Sequence, residues 1–153
     1  MKVRLPSILW KSDFHTRIAK DILPGWEISL AFVTPKIARS LNKNLRGKSY
    51  TPNVLSYVVG KKHGEVLICK EVARKEARDF GLSYSDFLIL LFVHALLHLK
   101  GGRHGTTMEK REQALLRKYG SVARIYGPSH RNRNRHRHLP SEDRRRRRIT
   151  RQA

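Results

Sequence analysis

The 153-residue sequence predicts an α+β fold in which a small mixed sheet is covered by helices. Three observations carry this expectation. Strand-like apolar segments occur at Trp26–Thr34, Val54–Val59 and Glu65–Cys69, bounded by Pro, Gly or polar residues. Apolar residues at helical spacing recur before, between and after them. One helical segment, Asp86 to about Lys100, is apolar on almost every side, the pattern of a central, buried helix. The order of elements is helix, strand, helix, two strands, then three helices, which suits one sheet packed against helices.

Each element has its own signal. Ser12 to Leu23 places Phe14, Ile18 and Ile22 on one face, with Asp13 near the start and Pro24-Gly25 as the stop. Trp26 to Thr34 alternates and then turns continuously apolar, as a buried strand does. Thr34-Pro35 is a cap followed by a first-turn proline. The helix it opens carries Ile37, Leu41 and Leu45 and stops before Gly47. Lys48 to Asn53 is a loop. Gly60 to Gly64 is a hairpin turn between the second and third strands. Glu71 to Phe80 is a helix with Val72, Ala73, Glu76, Ala77 and Phe80 inward or near its edge, although Glu76 reads as a surface residue; Gly81 ends it. Ser83 and Ser85 are both cap candidates for the apolar helix, and Gly101-Gly102 breaks it. Thr106 or Thr107 caps a last helix, Met108 to Tyr119, closed by Gly120.

Composition bounds the function. Hydrophobic residues make up 39% of the chain, enough for a modest core, and they thin out sharply at the C-terminal end. Residues 1–120 are read as the folded domain and 121–153 as a basic tail, disordered when free, that binds RNA. The formal charge is +21. The tail holds eleven arginines against two acids, a net of +9, so the body carries the other +12. A basic body together with a basic tail favours a polyanionic partner, and nucleic acid is the commonest; the alternative is a solvated, highly charged surface. Cys69 is the sole cysteine, so an intramolecular disulfide and a cysteine-based zinc site are both excluded. The longest apolar run, Phe87 to Leu99, is too short to span a bilayer and no apolar leader is visible. A cytoplasmic protein without membrane attachment is expected.

The chemistry concentrates in the segment HALLHLKGGRH, which begins at His94. His94 and His98 are four residues apart, so both imidazoles leave one helix face a turn apart. The glycine break lets the chain return and bring His104 to the same point. Three imidazoles suit Zn²⁺ and leave a fourth position open, the pattern of catalytic rather than structural zinc. A lone histidine on an apolar helix is more often a satisfied core residue. Two at this spacing each bring a polar group that needs a partner, and the third makes chance a poorer account. The frame H-x-x-x-H-x-x-G-x-x-H is that of metzincin proteases, but the catalytic glutamate after the first histidine is replaced by Ala95, which argues against peptidase chemistry. No acid falls within the motif. Glu65, Glu71 and Glu109 remain as acids that sequence alone does not place. Tyr50, Tyr57 and Tyr126 are candidates for base stacking, although Tyr57, in a strand, reads as packed.

These residues resemble the YbeY family of bacterial endoribonucleases. HALLHLKGGRH resembles the family's H-G-x-L-H-L-x-G-Y-D-H, Leu41-Asn42 with Arg46 its L-N-x-x-x-R, Asn53 to Tyr57 its (D/N)-V-L-(S/T)-F, and Gly64 to Ala77 its G-D-(I/L)-x-I-C and following helix. The four segments occur in the same order over about residues 26–120. The resemblance implies a metzincin-like site with one zinc ion on His94, His98 and His104, and a functional arginine at Arg46. It implies cleavage of single-stranded RNA, maturation of the 3′ end of small-subunit ribosomal RNA, and ribosome quality control. A small-subunit ribosomal protein or an assembly GTPase would be the protein partner. Arg103 and Gly102 depart from the family pattern just before the third histidine, Pro52 departs before Asn53, and the arginine tail is outside it. On chemistry alone Arg46 is equally a helix-end cation neutralising carbonyls. The competing reading is a ribosome-assembly factor that binds ribosomal RNA and cuts nothing, its zinc structural or vestigial.

Overall fold

The computed structural model of the chain describes residues 13–119; the predicted tail lies outside them. The elements follow the predicted order: α1 (Asp13–Ile22), β1 (Glu27–Val33), α2 (Pro35–Arg46), β2 (Val54–Gly60), β3 (His63–Cys69), α3 (Lys70–Phe80), α4 (Tyr84–Leu99) and α5 (Thr106–Lys118). The strands form one mixed sheet in the order β1-β3-β2. β1 runs parallel to β3, from Glu27 opposite His63 to Val33 opposite Cys69, and β2 runs antiparallel to β3.

Alternation along the strands sorts side chains to two layers. Leu30, Val66 and Ile68 face a large core built on α4, to which α1, α3 and α5 contribute Ile18, Ala73 and Leu116. Val33, Leu55, Leu67 and Cys69 face a smaller core under α2, closed by Ile37, Ala38 and Leu41. Both faces of the sheet are therefore covered. This explains the continuous apolar run of β1, even though β1 lies at the edge of the described sheet and β3 at its centre. Helix α4 is central as predicted: eleven of its residues, from Phe87 to Leu99, are buried, and the half-buried His94 and His98 are the polar interruptions of that run. Side chains such as Leu96, at 0% exposure, each contribute about 1.5–3 kcal/mol by leaving water.

Several ends differ from expectation for local reasons. The β2–β3 turn is tighter than Gly60–Gly64. It is made by Lys61 and Lys62, the latter at φ 54°, with a bulge between Val58 and Gly60. Of the two serine candidates Ser83 caps α4, accepting the Asp86 amide at 3.1 Å. Neither Thr106 nor Thr107 caps α5. The cap is Gly105 at φ 155°, with no side-chain cap hydrogen bond. Thr34 and Pro35 open α2 as predicted, and Gly47 closes it in the left-handed region. No described helix is long and apolar enough to cross a membrane.

Candidate metal centre

The end of α4 builds the site. Lys100 is the last near-helical residue, and Gly101 follows at φ 96°. The Gly101 amide then donates to the His98 carbonyl at 2.9 Å and the Gly102 amide to the Leu97 carbonyl at 2.8 Å. This pair of bonds is a Schellman closure, which satisfies the last carbonyls and reverses the chain. A Cβ on Gly102 would stand 2.7 Å from the Leu97 carbonyl oxygen, so glycine there permits the close return. The return carries His104 back over α4. The ring centroid of His104 lies 4.5 Å from that of His98 and 5.2 Å from that of His94. One ring nitrogen from each of the three lies within 4.8 Å of the others. The predicted ligand set therefore converges, with two ligands fixed by one helix and the third on an exposed loop.

Hydrogen bonds orient the two helix histidines. His98 Nδ1 lies 3.0 Å from the Gly102 carbonyl oxygen, which can only accept, so Nδ1 carries the proton. His94 Nδ1 lies 2.8 Å from Glu112 Oε2 and donates to it. Both rings thus present Nε2 to each other, at 3.1 Å. Two lone pairs at that distance repel unless something positive lies between them, either a shared proton or a metal ion. Two nitrogens held tetrahedrally at about 2.0–2.1 Å from zinc stand about 3.3–3.4 Å apart. The spacing and the all-imidazole donor set fit such an ion. Burial, reinforced by His94 and His104, pushes the His98 pKa down to about 4, so His98 is neutral at pH 7.

Glu112 is the residue that sequence reasoning missed. It lies on α5 between Met108 and Leu116, four residues from each, and all three are buried. A carboxylate on the buried stripe of an otherwise polar helix was the available signal, because a buried charge needs a partner. The acids considered from sequence lie elsewhere. Glu65 pairs with the Tyr57 hydroxyl across β2 and β3. Glu71 and Glu109 are exposed in the first turns of α3 and α5. Glu76 is not a free surface acid: it is half-buried and accepts from Asn53 Nδ2 at 2.6 Å. Tyr57 is packed as expected, and Tyr50 is half-buried, while Tyr126 lies outside the described residues.

Arg46 and Arg103 are both exposed. Arg46 is the exposed last residue of α2, the helix on the sheet face opposite α4. Arg103 is exposed beside His104.

The profile of the family described as Endoribonuclease YbeY matches residues 7–120. A protein of that name from Alkaliphilus metalliredigens is 34% identical over 115 residues, covering 65% of this chain and 74% of the relative. Another from Thiobacillus denitrificans is 35% identical over 125 residues, covering 75% of this chain and 83% of the relative. The solution structure of a Thermotoga maritima protein aligns with a TM-score of 0.53 at 22% identity, over 78% of this chain and 81% of that one, a likeness of fold. With its profile match spanning the whole described region, this chain belongs to the YbeY family.

Proposed function

We propose that this chain is a zinc-dependent endoribonuclease that cuts single-stranded RNA in the cytoplasm, in maturation of the 3′ end of small-subunit ribosomal RNA and in ribosome quality control. The observation that carries the reading is the convergence of His94, His98 and His104, with the first two rings turned so that both Nε2 atoms face one point. Three imidazoles and an open fourth position are the donor set of catalytic zinc. When bound, zinc supplies Lewis-acid polarisation of a phosphate oxygen.

The chain's own residues do the rest. His98 is neutral at working pH because burial disfavours its cation. Arg46, as the family resemblance implies, binds a phosphate oxygen of the RNA strand through its planar fork. Helix α2 exposes Lys36, Arg39, Lys43 and Arg46 and carries no acid, a surface suited to a phosphate backbone. Peptidase chemistry is disfavoured. Ala95 stands where the peptidase glutamate would be, and Glu112 engages the Nδ1 edge of His94, away from the Nε2 atoms. A small-subunit ribosomal protein or an assembly GTPase is the proposed protein partner.

The test compares wild type with His98→Ala, with folding followed by circular dichroism. About one zinc per chain and metal-dependent cutting of single-stranded RNA are expected in wild type, and both are lost in the folded variant. Wild type that binds zinc and RNA but cuts no single-stranded RNA would replace the nuclease reading with a non-catalytic assembly factor. Product ends then identify the nucleophile: a cyclic phosphate means attack by the RNA's own 2′-OH.

A further inference from the structure

We propose that Glu112 is a positioning residue that fixes the ring orientation and tautomer of His94 for metal binding. The proposal rests on the metal centre argued above and extends it outward to α5. Three observations support it. Glu112 is 5% exposed, on a helix whose other buried residues are Met108 and Leu116. Its Oε2 lies 2.8 Å from His94 Nδ1, within the range of a charge-assisted bond. The other ring nitrogen of His94 lies 3.1 Å from His98 Nε2, so the carboxylate and the ligand position occupy opposite ends of one imidazole.

The chemistry follows from the acceptor. A carboxylate oxygen that accepts from Nδ1 selects the His94 tautomer protonated there and leaves the Nε2 lone pair for a cation. It also raises the donor strength of Nε2, because partial withdrawal of the Nδ1 proton puts electron density back into the ring. The Gly102 carbonyl selects the same tautomer at His98 without a charge. The two helix ligands are thus held differently, His94 by an anion from α5 and His98 by the backbone of its own helix end. Removing the carboxylate leaves His94 free to rotate or to switch tautomer, and it removes a negative charge next to a dication.

A buried carboxylate with a purely structural role would also destabilise the fold when removed. The test therefore reads the metal and the ring. Zinc affinity is measured by chelator competition for wild type, Glu112→Gln, Glu112→Ala and, as a control for general charge, Glu109→Gln. Glu109 is exposed in the first turn of the same helix. Nitrogen-15 correlation spectra of the histidine rings report which nitrogen of His94 carries the proton. Zinc affinity should fall by about 10–100-fold in Glu112→Ala, the usual cost of losing such a support. It should fall less in Glu112→Gln, whose amide oxygen still accepts, and remain unchanged in Glu109→Gln. His94 should be protonated at Nδ1 in wild type and a mixture of tautomers in Glu112→Ala. If the alanine variant fails to fold, the near-isosteric glutamine variant decides by affinity. Wild-type zinc affinity in a folded Glu112 variant, with the His94 tautomer unchanged, would overturn the proposal and leave the metal centre standing. Wild type that takes up no zinc would overturn the metal centre itself, and this inference with it.

Discussion

At the scale of single residues, burial acts most visibly on two histidines. His15 is 6% exposed and packs edge-on against the Phe92 ring. Burial lowers its pKa from 6.5 to about 4. The unfolded chain accepts a proton at His15 once the pH falls below 6.5, while the folded chain refuses it down to about 4. The unfolded state therefore binds more protons in that window, and stability is lost progressively as the pH falls through it. His98 acts with the same sign, since its pKa is also lowered to about 4. We expect the melting temperature to decline between pH 6.5 and 4, and His15→Leu to flatten part of that decline. An identical pH profile in the variant would show that His15 is not among the groups responsible.

At the scale of elements, the end of α4 matters most for the site. The apolar body of the helix fixes where it lies, and the Gly101-Gly102 closure fixes where His104 returns. Gly102 tolerates no Cβ without movement, because the obstacle is a backbone carbonyl, Leu97 O at 2.7 Å. We expect Gly102→Ala to push the return loop outward, weaken zinc binding and leave the helix content of α4 intact. Zinc titration and far-ultraviolet circular dichroism check this together. Unchanged affinity would mean that the loop relaxes without carrying His104 away. Helix α5 contributes to the same site from outside the motif. It carries Glu112 among its buried residues, and its own N-terminus relies on Gly105 with no side-chain cap.

At the scale of the whole molecule, charge dominates. A formal net of +21 is shared between body and C-terminal segment, so affinity for a polyanion should be strongly salt-dependent. Each phosphate neutralised on a single strand contributes roughly 0.7 to the slope of log affinity against log salt. Deleting residues 121–153, with their eleven arginines, should reduce that slope and leave zinc content unchanged. An unchanged slope would mean that the segment does not touch RNA and that the body alone carries the binding. The body has the means in the exposed cations of α2, which lie on the layer away from α4.

The sequence by itself determined what depends on local period and spacing. Apolar composition on either side of a turn marked Val54–Val59 and Glu65–Cys69 as strands, the all-round apolar pattern marked α4 as central, and the i, i+4 histidines followed by Gly-Gly marked three candidate ligands. Each is written within a few turns of chain. Only the tertiary structure decided what depends on contacts between distant segments. Glu112 lies eighteen residues from His94 and reaches it because α5 packs beside α4. The half-buried Glu76 finds Asn53 twenty-three residues away, so an acid read as a surface residue is a hydrogen-bonded one. β1 reads as a buried strand, and it is one although it lies at the edge of the described sheet, since burial on both faces follows from α2 and α4 and not from strand order. Spacing reports which face a residue occupies; what stands opposite that face is set by packing.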